Sequence, residues 1–328
     1  MIGRLKPIAG YQFAAFRIVL GLYLIQHFAF LLPYAGELFS RRGLIPVAAL
    51  NLTHGLLPNP LERWDTPGVA TAFVAAMLGL SLSLALGTFR RTTCLLLWYG
   101  WACLFNRNNL ISNPSIPYVG LMFLLMVVVP PGEPLRAWRG KGAAADDTGA
   151  WRFPWMVFFT AWTLMAVGYT FSGLDKLLSS PSWRDGTAMV HLVDNPLARP
   201  GPLRDLFLSM PAWVHKTFTY AALALEVLFL PLCLTRATRL VAWTAMLGMH
   251  LGLLTLVDFA DLTFGMVMLH LFTFDPDWFP PRPSRGGRSG PRRTRAARVR
   301  RASSAGIEGS VGWRVDPPWR RRRARLVW

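Results

Sequence analysis

The sequence predicts an all-α integral membrane protein of about eight transmembrane helices, with both termini cytoplasmic and a disordered Arg-rich C-terminal tail. Three observations carry this. Hydrophobic residues make up 53% of the chain and charged residues only 16%, with 14 Trp and 21 Phe. The apolar residues fall in long unbroken runs, which a lipid solvent explains and a soluble core does not. Short cationic loops recur after every second run, as the bias of cytoplasmic loops toward Lys and Arg requires.

The runs follow in order. Arg4 and Lys6 precede the first, Tyr11 to Leu32. It opens like a signal peptide but is long, carries Arg17 and lacks a small-x-small cleavage site, so it reads as a retained helix. A polar loop rich in Pro, Gly and Asn covers 33–68. Seven more runs span 69–89, 93–105, 116–129, 153–174, 213–234, 240–257 and 262–274. The third, fourth and eighth fall short of the ~20 residues a crossing helix needs, so they extend into flanking polar residues or tilt. Arg90 and Arg91, the group Arg136, Arg139, Lys141 and Arg152, and the pair Arg236 and Arg239 occupy alternate loops. All lie on one side if the N-terminus is cytoplasmic. In a bacterium this places the protein in the inner (cytoplasmic) membrane, and leaves the loop after the fifth run on the outer face.

The net charge of +18 is misplaced as a guide to function. From Pro280 onward, 15 Arg stand against Glu308 and Asp316, so the tail carries +13 and the rest of the chain +5. A global argument for nucleic-acid binding therefore fails, and no nucleic acid is expected. The organisation is a membrane domain over 1–279 and a tail over 280–328. The tail has no apolar periodicity, so disorder is its default. Beside a membrane it would attract anionic lipid. An Arg-only run with Gly, Pro, Ser and Ala is also what a shifted reading frame of a GC-rich gene encodes, and both readings stand. Cys94, Cys103 and Cys233 all lie in apolar runs and form no C-x-x-C pair, so they read as buried thiols. Metal-ligand spacing and a glycine-rich phosphate loop are both lacking.

The candidate site is the stretch Tyr169 to Val193, where the fifth run ends in Asp175 and Lys176 and continues through Trp183, Arg184, Asp185, Gly186 and His191. Gly173 permits close approach of another backbone. An ammonium partly desolvated at the membrane edge can act as a base; equally, Lys176 can be an anchor that snorkels to the interface. Arg184 can clamp a carboxylate or lipid head group, or be neutralised by Asp185. Arg184 to Gly186 reads as a tight turn before a short helix, Thr187 to Val193. Elsewhere Arg17 and Glu226 both lie ~9–12 Å from the inner boundary at ~1.5 Å per residue. At that depth each needs a partner, so they are expected to pair or share a polar network. That pair either fixes helix register or lies on a proton or substrate path. His250 is a mid-membrane hydrogen-bonding residue or a partner in chemistry. Asp258 and Asp261 follow, with a turn expected at Phe259 and Ala260.

The stretches FSGLDKL and SWRDGTAM resemble the horizontally transferred transmembrane (HTTM) domain, whose members include bacterial relatives of vitamin K-dependent γ-carboxylase. Arg17, the segment FNRNNLISNPSIPYVG, and ALEVLFLPLCLTRATR with His250 and DFADLTFGMVML extend the resemblance over about residues 8–279. It implies a quinone or quinol as cofactor and a base role for Lys176. Asp175 and Pro114 depart from the carboxylase pattern, the latter standing where the carboxylase carries a histidine. The large luminal region that grips its propeptide is also missing, which argues against peptide glutamate carboxylation. The resemblance also implies that the tail occupies the place of a thiol–disulfide oxidoreductase-like domain found in many relatives. The resulting expectation is an outer-face pocket around Lys176 for a quinone-like molecule or a lipid of the bilayer. Lys176 and His250 are its candidate catalytic groups, and Trp183, Arg184, Asp185 and His191 its ligand contacts. The alternative is a non-enzymatic membrane scaffold or redox-partner subunit.

Overall fold

A computed structural model of the chain describes residues 8–135 and 151–278, all within one compact unit ending at Pro280. The cationic residues Arg136, Arg139 and Lys141, and the Arg-rich tail with its two readings, lie outside the described residues.

The described residues are all-helical, without a strand. Helices occupy each of the eight apolar runs: α1 (Gly10–Leu31), α2 (Pro67–Leu86), α3 (Arg90–Arg107), α4 (Ile116–Val128), α5 (Trp155–Ser179), α6 (Ala212–Val227), α7 (Arg236–Leu256) and α8 (Ala260–Phe272). Four of them, α1 with its extension to Phe39, α2, α5 and α7, are long and apolar enough to cross a membrane. Helices α4 and α8, at 13 residues each, are apolar but shorter.

The bundle turns apolar faces outward. Leu22, Phe30, Leu82, Phe159, Phe171 and Val241 are all exposed. In water such surface would be a liability; in hydrocarbon it is the normal solvent-facing side. The interior carries the polar exceptions, among them Arg17, Arg90, Glu133, Glu226, His250 and His270, all buried.

The sequence chemistry of the helix ends is conventional. Thr66 Oγ1 accepts from the Val69 N–H to cap α2, and Thr235 does the same for α7 at Thr238. Gly87 closes α2 with a left-handed φ of 73°. A side chain there would collide with Arg17, 2.7 Å from its Cζ. Arg17 uses the space to donate to Leu84 O and Ala85 O, both at 2.6 Å, and to Leu135 O at 2.7 Å. A cation on the last carbonyls of α2 is well placed for the helix dipole.

Arg90 acts likewise at the end of α4. It donates to Val129 O and Pro130 O, each at 2.9 Å, and to Met126 O. Glu133 stands between the two arginines, 2.8 Å from Arg90 Nε and 3.9 Å from Arg17 Nε. Arg90, expected as a free loop charge, is therefore a buried structural cation. Arg236 and Arg239 are similarly engaged: Arg236 donates to Asp277 O, and Arg239 pairs with Asp275 at 2.8 Å.

Two departures from the expected spans matter for the site. The sixth run is not one helix; α6 stops at Val227 and a short turn, Phe229–Leu232, follows. Its first turns also lie beyond the end of α5, against an excursion of three short helices, Pro181–Asp185, Ala188–Val193 and Pro202–Ser209. Contacts to that excursion run along α6: Tyr220 Oη donates to Arg184 O at 3.0 Å and Thr219 Oγ1 accepts from Met189 N at 3.2 Å. The break between α7 and α8 falls at 257–259, beside the turn expected from Phe259 and Ala260. Cys94 and Cys103 are buried and Cys233 partly so, all as free thiols.

Candidate functional site

Helix α5 presents Tyr169, Gly173 and Lys176 at the i, i+4, i+7 spacing of one face. Gly173 is where α6 comes closest. A Cβ on it would lie 2.6 Å from Val227 N and 2.8 Å from Glu226 Cβ. The missing side chain thus brings Glu226 beside the following turn of α5. There Lys176 Nζ donates to Glu226 Oε1 at 2.5 Å and to Oε2 at 2.6 Å, and Ser172 Oγ adds a bond to Oε2 at 3.2 Å. Thr170 Oγ1 donates to Glu226 O at 3.3 Å and accepts from Leu230 N at 3.0 Å, which stitches the break after α6 to α5.

The pair is asymmetric. The Glu226 side chain is 5% exposed and that of Lys176 28%. Above the ammonium lies Trp183, its ring centroid 4.8 Å from Nζ, close enough for a cation–π contact. The chain reaches this position because Ser180 leaves the helical conformation and Pro181 starts the next turn. That turn ends at Gly186, with φ 86°.

The expected Arg17–Glu226 pair does not form. Glu226 bonds to Lys176 and Ser172, whereas Arg17 sits among the carbonyls of α2 and beside Glu133. The physical reason is the offset of α6. Its early turns extend past the end of α5, which raises Glu226 to the level of Lys176 and away from the end of the bundle where Arg17 lies. Counting residues from the end of an apolar run assumed that the whole run lay in the membrane.

The other predicted site residues separate. His250 bonds through Nε2 to Tyr169 Oη at 2.7 Å, not to Lys176. Its ring centroid is 5.8 Å from that of His270. His250 Nδ1 and His270 Nε2 are buried without a hydrogen-bond partner among the described residues. Arg184 is exposed, and the Asp185 carboxylate is engaged by Thr187 instead of by its guanidinium. Asp185 instead accepts from the Thr187 hydroxyl at 2.6 Å and the Thr187 N–H at 2.9 Å. These bonds hold its carboxyl below the usual carboxylate range. Asp175 is exposed and accepts from Ser179 Oγ at 3.1 Å. His191 is exposed on the short helix Ala188–Val193. Lys176, Glu226 and Trp183 are thus brought together; Arg184, Asp185 and His191 are not drawn into contact with them.

A cavity of about 1020 Å³ opens elsewhere, where the ends of α1, α3 and α7 meet the starts of α4 and α8. Neither Lys176, Glu226 nor Trp183 lines it. Its walls carry Tyr23, Trp101 and Phe264, with His27, Asp261 and Arg199 among the polar groups. His27 Nδ1 and Asp261 Oδ1 are 2.9 Å apart. Arg199 reaches Asp258 Oδ1 at 3.0 Å. The pairing of His27 with Asp261 spans 234 positions of chain, and sequence reading missed it. Nothing local in either segment announces it. Glu133 also escaped notice, although an acidic residue between two prolines after an apolar run was a usable sign.

An outward-facing apolar surface around an interior that holds several buried charges, with four helices able to cross a bilayer, defines an all-helical membrane protein. The HTTM domain family model matches residues 6–278, and the chain belongs to the HTTM-domain family. No curated protein and no solved structure matches it.

Proposed function

We propose that this HTTM-domain protein binds a hydrophobic quinone-like molecule or lipid at the Lys176 site, on the outer face of a bacterial cytoplasmic membrane. The carrying observation is the Lys176–Glu226 pair, held at 2.5 and 2.6 Å with its lysine end partly open beneath Trp183. A buried carboxylate is costly without a partner, and the chain spends Gly173 to bring one within reach. A half-open ion pair roofed by an indole suits a ligand with a flat apolar body and a polar head.

In the catalytic version Lys176 is the base. A free amine arises when the ammonium passes one proton to Glu226; the amine then takes a proton from a ligand hydroxyl, whose electron pair stays on oxygen. The resemblance of FSGLDKL and SWRDGTAM to vitamin K-dependent γ-carboxylase supports a quinol as that ligand. Pro114, in place of the carboxylase histidine, argues for proton chemistry without peptide carboxylation. A second reading, a scaffold or redox-partner subunit, is favoured by the same pair: an ammonium bound by both carboxylate oxygens is a good structural joint. The loop charges support the outer placement, with both termini cytoplasmic.

The test is extraction of wild type and Lys176→Ala in mild detergent, with mass spectrometry of copurifying quinone and lipid. Ligand present in wild type and lost from the variant is the expected result. Equal ligand in both removes Lys176 from the binding site and leaves the scaffold reading.

A further inference from the structure

We infer that His27 and Asp261 form an acid–base dyad serving a second ligand site, the 1020 Å³ cavity, and that its ligand is a small hydroxylated aromatic molecule. This goes beyond the Lys176 reading and does not depend on it, because the Lys176 constellation lies outside the cavity.

The dyad follows from hydrogen-bonding capacity. A carboxylate only accepts, so an Asp261 carboxylate fixes the imidazole proton on His27 Nδ1. Nε2 of the neutral ring is then an acceptor. Among the described residues nothing bonds to it, although His27 lines the cavity. The ring is held from three sides: Trp101 at 5.1 Å between centroids, Phe28 at 5.0 Å and Tyr23 at 6.0 Å. Asp261 is held in turn, since it lies in the first turn of α8 and its backbone carbonyl accepts from Ser115 Oγ at 3.2 Å. A base whose orientation is set by a carboxylate, on a rigid wall, is the arrangement that proton transfer needs.

Ligand class follows from the rest of the lining. Trp101, Phe264 and Tyr23 offer flat apolar faces, which suit an aromatic body. The volume is at the upper end of the range for small-molecule pockets, so such a body fits with room for a side chain. His27 Nε2 calls for a donor, and an O–H group supplies it. On transfer the O–H bond breaks, Nε2–H forms, and the electron pair stays on the ligand oxygen. Asp261 then faces the imidazolium and stabilises it.

p-Nitrophenol is a suitable probe, because its acidity is close to that of an imidazolium and its absorption shifts to longer wavelength on ionisation. The full-length protein is purified in detergent near neutral pH and titrated with it, and each variant is first checked by size-exclusion chromatography. Wild type should bind p-nitrophenol and develop more of the nitrophenolate band than the free probe shows at the same pH. His27→Gln should keep binding within about threefold, under 1 kcal/mol, but lose that excess. Ser112→Trp, at an exposed position on the cavity wall, should weaken binding about tenfold or more by filling it. The loss of the excess on His27→Gln should be as large in the Lys176→Ala background, where the other proposed site is disabled. The inference is overturned if wild type does not bind the probe, if the excess survives in His27→Gln, or if Ser112→Trp leaves affinity intact. Loss of the excess in Lys176→Ala with its retention in His27→Gln also overturns it, and assigns the proton to the Lys176 site instead.

Discussion

Both carboxylate oxygens of Glu226 accept from the Lys176 ammonium, at 2.5 and 2.6 Å, across the close contact of α5 and α6 made possible by Gly173. The unequal burial of the partners makes the consequences of cutting the pair unequal. Lys176→Met strands a buried carboxylate and should cost about 3 kcal/mol, the lower end for breaking a buried pair because the lysine is partly exposed. Glu226→Gln leaves an ammonium that can move toward the surface, and should cost less. The double variant should recover most of the loss. Thermal unfolding in detergent ranks the four proteins; a double variant no better than Lys176→Met would show that the residues are not energetically coupled.

Gly173→Ala tests the contact itself. The added methyl meets backbone and Cβ atoms, not the flexible end of a side chain. Overpacking of that kind costs about 1–3 kcal/mol. The helices must separate, so copurifying ligand should fall together with stability if it binds at Lys176. Normal stability and ligand content in Gly173→Ala would contradict the close packing of α5 on α6.

At the other end of the bundle, Glu133→Gln removes the carboxylate shared by Arg90 and Arg17. The destabilisation should reach about 3–5 kcal/mol, as for a buried pair broken from one side. By contrast, exchanging charges between Arg17 and Glu226 should rescue nothing, since the two have different partners. Rescue in the Arg17→Glu, Glu226→Arg protein, read as expression and melting temperature, would restore the direct pairing that the structure replaces.

Asp185 gives a prediction in pH. Its native carboxyl titrates below the ordinary value because Thr187 donates to the ionised form twice. The unfolded state therefore binds the proton more readily, and the bond contributes stability above the unfolded carboxylate range, about pH 3.9. That contribution fades as pH falls through the still lower native value. The protection factor of the helix Ala188–Val193 against hydrogen exchange, with the intrinsic rate divided out, should be flat above about pH 5 and fall below pH 4. Asp185→Ala should show low protection at every pH.

Much of this architecture was legible because the bilayer forces a simple code. An apolar run of sufficient length must be helical, and all eight runs are. Local chemistry was legible too: the turn at Gly186, the short helix before Val193 and the break near Phe259 each follow from the residues present. Depth was not legible. The apolar run around Glu226 continues past the end of α5, so its register in the membrane depends on which helix it packs against. Pairing across the chain was equally hidden. His27 and Asp261 are each unremarkable in sequence, and Arg90 looked like any loop cation until Glu133 and the carbonyls ending α4 were seen around it.

The excursion between α5 and α6 has a double attachment. Near its start Trp183 covers the Lys176 ammonium; near its middle Arg199 lines the large cavity, and Ala198 bridges to Val257. One short length of chain therefore touches both the Lys176 ion pair and the large cavity. A substitution that shifts it, even at an exposed position such as His191, moves a boundary of both. Phenotypes of variants in 183–199 belong to two places at once, and separating them requires a measurement at each.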